Sequence, residues 1–130
     1  MGVRFKGYRQ GQSGGACLVT VKDEYGDESV LAMPRLSRRE SRHSPDGFQF
    51  GYSGSGPTEL ARAILVHLYP KDDRVRHPRC YRSFRDTFLS GIKADCFTLE
   101  EEVVRGWYEG IWMSANNQSA WPIEAGWLAQ

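Results

Sequence analysis

Between His43 and Pro57 the chain runs His-Ser-Pro-Asp-Gly-Phe-Gln-Phe-Gly-Tyr-Ser-Gly-Ser-Gly-Pro, and no other segment restricts the fold as much. Pro45-Asp46-Gly47 spells a turn, because the proline ring presets φ and glycine accepts the φ that other residues resist. Phe48, Phe50 and Tyr52 alternate at period two, which predicts a short strand, Phe48–Tyr52, with three rings on one face. Gly51, Gly54 and Gly56 strip side chains from the backbone just before Pro57, a residue suited to the first position of a helix. The expected product is a rigid corner that seats an aromatic ribbon against the first helix. Backbone N–H groups gathered near Gly54, Ser55 and Gly56 at a helix start are also suited to hold an anion or a nucleotide phosphate. Against that, the loop lacks the P-loop lysine, and its spacing is neither GxGxxG nor that of a Walker motif.

Upstream the pattern is β. Val3–Tyr8 predicts a first strand, and Cys17–Val21 a second that is rich in β-branched residues. The polar run Lys22–Glu28 reads as a hairpin loop, and Ser29–Met33 as a returning strand stopped by Pro34. Downstream the pattern is helical. Gly56 reads as N-cap, with Pro57 first and Glu59 third, where an acid suits the helix dipole. Leu60, Ile64 and Leu68 follow at four-residue steps, and Pro70 ends the helix. A second helix opens at His77-Pro78 with Tyr81, Phe84, Phe88 and Leu89 as its apolar stripe and Gly91 as its C-terminal cap. Thr98 and Glu101 spell a capping box for a last helix carrying Val103, Val104, Trp107, Tyr108, Ile111 and Trp112. The expected fold class is α+β, a small antiparallel sheet of three or four strands packed by three helices. One domain over 1–113 and an aromatic tail over 114–130, packed on the domain or on a partner, complete the expectation.

The charge distribution is uneven although the net charge is only +1. Residues 35–93 carry twelve basic and six acidic groups, giving +6, whereas residues 94–130 carry one and six, giving −5. Blocks of opposite sign suggest a basic patch for an anionic partner, or two solvated faces. Arg35, Arg38, Arg39, Arg42 and His43 form the densest basic run, and Arg79, Arg82 and Arg85 follow at three-residue steps on the second helix. Arginine forks suit phosphate and carboxylate, and the neighbouring Phe48, Phe50 and Tyr52 are candidates to stack bases, so nucleic acid is one partner class to consider. Trp121 and Trp127 in the tail are candidate anchors for a protein partner.

Chemistry beyond binding has little support. The three cysteines, Cys17, Cys80 and Cys96, are odd in number and widely spaced, which argues for a reducing, cytoplasmic setting. No segment predicts a membrane span. His43, His67 and His77 are scattered, and His77 with Cys80 lacks the closer pairs of a structural zinc site, so no metal and no cofactor are expected. Glu100, Glu101 and Glu102 are explained by the helix dipole alone. No catalytic residue is assigned.

The central run, followed by Leu60-Ala61, then Tyr81-Arg82-Ser83-Phe84 and Thr98-Leu99-Glu100-Glu101, resembles a domain-of-unknown-function family of small proteins from bacteria, archaea and their phages. The family pattern is Asn/His-Ser-Pro-Asp-Gly-Phe-x-Trp-Gly-Tyr-x-Gly-Ser-Gly-Pro. Phe50 stands here where tryptophan is usual, and the resemblance covers roughly residues 1–110. It implies no catalytic residue or cofactor. It does imply a mobile-element setting, in which small cytosolic proteins often inhibit host machinery. The expected function is therefore a non-enzymatic protein-binding module, an anti-CRISPR or other anti-defence inhibitor. Its expected partner is a host protein or ribonucleoprotein complex, with self-association as a further option. The alternatives are anion capture at Gly54–Gly56 and nucleic-acid binding.

Overall fold

The computed structural model describes residues 2–10 and 16–116. Strands β1 (Arg4–Tyr8), β2 (Leu18–Lys22), β3 (Glu28–Val30) and β4 (Cys96–Glu100) form one antiparallel sheet in the order β3-β2-β1-β4. Helix α1 spans Ser55–Leu68, and a 3₁₀ turn over Asp73–Arg76 leads to α2 (Pro78–Phe84), which widens into a π segment, Arg85–Leu89. After β4 the chain enters α3 (Glu101–Arg105), a second π segment (Gly106–Trp112) and α4 (Met113–Asn116). The architecture is α+β, as the sequence predicts.

The register explains why one face of the sheet is apolar. Phe5 lies opposite Val21 and Leu99, and Gly7 opposite Val19 and Phe97, so alternate residues of three strands turn to the same side. Gly7 is needed there: a Cβ at that position would sit 2.1 Å from the Phe97 ring. Leu60, Ile64 and Leu65 of α1 are fully buried in the core with Phe5. The second half of the core is aromatic, with Phe84 and Phe88 tilted against each other, both edge to face with Trp107, and Trp107 stacked on Trp112 at 5.8 Å. Both π segments supply rings to this cluster.

Four sequence expectations are corrected. Phe48–Tyr52 is not a strand: Phe48 makes a single bridge to Cys17, and the chain then turns, because Gly47 and Gly51 adopt φ of +121° and +96°. Thr98 is not a cap: it lies inside β4, α3 is capped by Glu100 without a side-chain bond, and Glu101 instead accepts the Val3 N–H at 2.8 Å. The open edge of β1 outcompetes the local capping box, since pairing satisfies a whole row of backbone groups. Helix α1 begins at Ser55 with Gly54 as its cap, and Gly91 has no left-handed φ, Ser90 ending the second helix.

Candidate functional site

Helix α1 is buried almost all round, from Gly56 to Leu65, because the sheet covers one side and the loop between β3 and the glycine corner covers another. Two charged residues of that helix, Glu59 and Arg62, are therefore 0% and 1% exposed. Charges that deep persist only when paired and hydrogen-bonded, and the loop supplies the partners. Arg62 Nη2 donates to both oxygens of Glu59, at 3.0 and 2.9 Å, and to the Ser41 carbonyl at 3.1 Å. Arg42 donates to Glu59 and to the Pro34 carbonyl, each at 2.8 Å. The His43 and Ser44 N–H groups donate to Glu59 Oε1 at 2.8 and 3.3 Å.

A second carboxylate extends the network. The Glu40 side chain is 3% exposed, lies 3.9 Å from Arg62 and takes a fork from Arg76, whose Nη2 approaches to 2.8 Å and also donates to the Arg35 carbonyl. Glu40 further accepts the Ser37 N–H at 2.8 Å. The His43 imidazole Nε2 shares a hydrogen bond of 2.6 Å with the buried Tyr81 hydroxyl on α2. Burial works against ionisation of Glu59, but the bonds and charge of Arg62, the His43 amide and Arg42 outweigh it and hold the carboxyl below its ordinary value. Burial lowers the His43 pKa, and the Arg62, Arg82 and Arg42 cations lower it further against the opposing pull of Glu59.

The loop is thus pinned at nearly every second residue from Pro34 to Ser44, although it has no regular secondary structure. Pinning decides which arginines face outward. Arg35, Arg38 and Arg39 are exposed and, with exposed Arg82 on α2, have no side-chain partner among the described residues. Arg42 and Arg85, both candidates from the sequence, are engaged inside the fold. Arg42 braces the loop, and Arg85 bonds Asp86 at 2.8 Å and the Thr58 hydroxyl at 2.9 Å. Arg79 is exposed on α2. Trp121 and Trp127 lie outside the described residues.

At the glycine corner the structure shows close approach. A Cβ on Gly54 would lie 2.2 Å from the Tyr52 ring, and one on Gly56 2.6 Å from Gln49 Cβ. Arg9 anchors the corner, with its guanidinium 4.4 Å over the Phe50 ring and a bond to the Phe50 carbonyl at 3.1 Å. The Asp86 carboxylate beside this loop accepts from Ser90 at 3.2 Å and is paired with Arg85 at 2.8 Å, and Ser53 donates to Ser90 at 2.9 Å. The stacking platform expected for nucleic acid does not form, since Phe48 and Phe50 are core residues at 6% and 2% exposure and only Tyr52 is exposed. Among the described residues no three metal-ligating side chains cluster, and no helix is long and apolar enough to cross a membrane.

No sequence signal singles out Glu59 and Arg62 as buried, because their partners arrive from a loop 15 to 22 residues upstream. The i,i+3 spacing of an acid and a base on an otherwise apolar helix is the only local hint.

These features define an α+β domain that carries a preformed cationic face on a loop braced by buried ion pairs. The chain belongs to a family of unknown function, DUF6166, whose model matches residues 5–110. Nothing among curated proteins and nothing among solved structures matches it.

Proposed function

We propose that the protein is a non-enzymatic binding module that docks on an acidic protein surface through Arg35, Arg38, Arg39 and Arg82. The single observation behind this reading is the bracing: two deeply buried carboxylates and three guanidiniums hold an irregular loop so that its remaining arginines stay exposed and unpaired among the described residues. A preorganised cationic loop loses less conformational freedom on docking, which favours affinity and on-rate. Burial of Phe48 and Phe50 removes the base-stacking platform, and the net charge of +1 gives weak long-range attraction to polyphosphate. Both points favour an acidic protein over nucleic acid. Inhibition of a host defence complex by a protein of phage or mobile-element origin is the concrete form of this proposal.

Affinity capture from a host lysate tests it. The wild-type protein should retain a partner that the Arg38→Glu/Arg39→Glu variant loses, with the thermal midpoint of the two proteins within a few degrees. Equal retention by the variant overturns the reading. Retention that disappears after nuclease treatment and falls steeply with salt would assign the face to nucleic acid instead.

A further inference from the structure

The two edges of the sheet are not alike. Strand β3 is three residues long, and its Glu28 carboxylate already accepts from the Thr20 hydroxyl at 2.7 Å. Strand β4, at the other edge, is five residues long, contains no proline and keeps unbroken register with β1. Sheets protect an edge by shortening it, bulging it or placing proline on it, and β4 uses none of these devices. Hydrogen bonds at its two ends fix which backbone groups face outward. The Arg9 N–H donates to the Asp95 carbonyl and the Glu101 N–H to the Val3 carbonyl, both at 2.8 Å. In an antiparallel ladder, residues that bond to one neighbour alternate with residues that face away from it. Asp95, Phe97, Leu99 and Glu101 therefore bond toward β1, and the N–H and C=O groups of Cys96, Thr98 and Glu100 point to the open side. Cys96 and Thr98 are exposed, and no described strand lies beyond them.

Charge selects what can pair there. Where β4 ends, a cleft of about 530 Å³ is lined by Asp23, Glu24 and the three glutamates 100–102, against Arg4 and Lys22. Arg4 is already paired with Glu100 at 2.7 Å, whereas Glu24 and Glu102 are exposed and have no side-chain partner among the described residues. The excess of carboxylates favours a cation. In antiparallel addition, the first residues of an incoming strand lie beside Glu100, at the mouth of this cleft. We propose that β4 captures an extended segment of a partner protein by antiparallel strand addition, and that the segment begins with lysine or arginine. Main-chain bonds to Cys96, Thr98 and Glu100 supply the affinity, and the acidic cleft selects the sequence. A second copy of this chain fits less well. The register that pairs all three outward residues of two copies is centred on Thr98, and it sets Glu101 of one opposite Asp95 of the other, like charge against like. The surface uses none of the loop arginines and does not rest on their role.

NMR titration of the isotope-labelled whole protein with two blocked heptapeptides tests the proposal. One is Lys-Arg-Thr-Val-Thr-Val-Thr, and the other replaces its first two residues with Glu-Glu. The basic peptide should shift the Cys96, Thr98 and Glu100 amide signals. At saturation it should slow their hydrogen exchange on the order of tenfold, while Phe97 and Leu99 are protected with and without it. Thr98→Pro removes the central outward N–H, a change that an edge strand accepts because that N–H bonds nothing in the sheet. It should weaken the basic peptide roughly tenfold. Glu24→Lys/Glu102→Lys, two exposed changes that keep the test open if the proline variant does not fold, should weaken the basic peptide and strengthen the acidic one. The amide spectrum reports the fold of each variant. No response of β4 to the basic peptide, equal binding of the two peptides, or basic-peptide binding that both folded variants leave unchanged overturns the proposal. Broadening of the same amides with rising protein concentration and no peptide would assign the edge to a second copy and overturn it too. None of these outcomes bears on lysate capture through Arg38 and Arg39.

Discussion

Replacing Glu59 with glutamine leaves the shape of the side chain almost unchanged and removes one charge from the centre of the network. The consequence follows from what Glu59 holds. Its two oxygens accept from Arg62 twice, from Arg42 and from the amides of His43 and Ser44, at 2.8 to 3.3 Å. Glutamine keeps one acceptor and turns an N–H₂ group toward a guanidinium that also only donates. Arg62, 1% exposed, then remains as a buried cation with weakened compensation. Removing one partner of a buried ion pair costs about 3–5 kcal/mol, a large share of the roughly 5–15 kcal/mol that stabilises a typical domain. For a chain of this size that corresponds to a fall in melting temperature of about 10–20 °C. Urea unfolding followed by circular dichroism gives the free energy, and the slope checks that unfolding stays two-state. Glu59→Gln/Arg62→Met supplies the control, since removing both members of a buried pair is often far milder than removing one. A cost below about 1 kcal/mol for Glu59→Gln would refute the reasoning, because a group worth so little is not a buried hub.

Two further outcomes are expected. Gly51→Ala should lower the urea midpoint by an amount equivalent to about 1–2 kcal/mol from its left-handed φ alone, and by more because the new Cβ would meet the Ile92 carbonyl at 2.8 Å; a neutral result would contradict the strained corner. Stability should fall on acidification in two stages. His43, His67 and His77 are all lowered from 6.5, chiefly by burial, so the unfolded chain binds protons first and stability is lost as the pH drops below about 6.5. Glu59 and Glu101 are lowered from 4.5, so a second loss begins below about 4.5. Urea midpoints that rise between pH 7.5 and 5.5 would contradict the first stage.

Where the chain's geometry is local, the residues announced it. The Pro45-Asp46-Gly47 turn is present with Gly47 at φ +121°, and the Leu60, Ile64, Leu68 stripe is buried as its spacing requires. The failures are non-local. Thr98-Leu99-Glu100-Glu101 satisfies a capping box when read alone, yet Arg4–Tyr8, far earlier in the chain, offers an unpaired strand edge that claims Cys96–Glu100. The alternation of Phe48, Phe50 and Tyr52 arises from chain reversals at Gly47 and Gly51 that bury two rings and expose the third. Glu59 looks like an acid placed for the helix dipole. Its burial depends on Arg42 and His43 crossing over the helix, which no spacing rule encodes. The arginine run was visible as a cationic patch, but its division into braces and free forks was not, because that division is set by which carboxylates the fold brings within reach.

The account rests on the buried pairs holding loop 34–44 in place, and amide hydrogen exchange on wild type and Glu59→Gln measures that directly, under conditions where both remain folded. The His43 and Ser44 amides, which donate to Glu59, should be protected in the wild type and exchange at least tenfold faster in the variant, along with their loop neighbours, while β1 and β2 keep their protection. Equal exchange of the loop in both proteins would show that the carboxylate does not brace it, and the preformed cationic face would lose its physical basis.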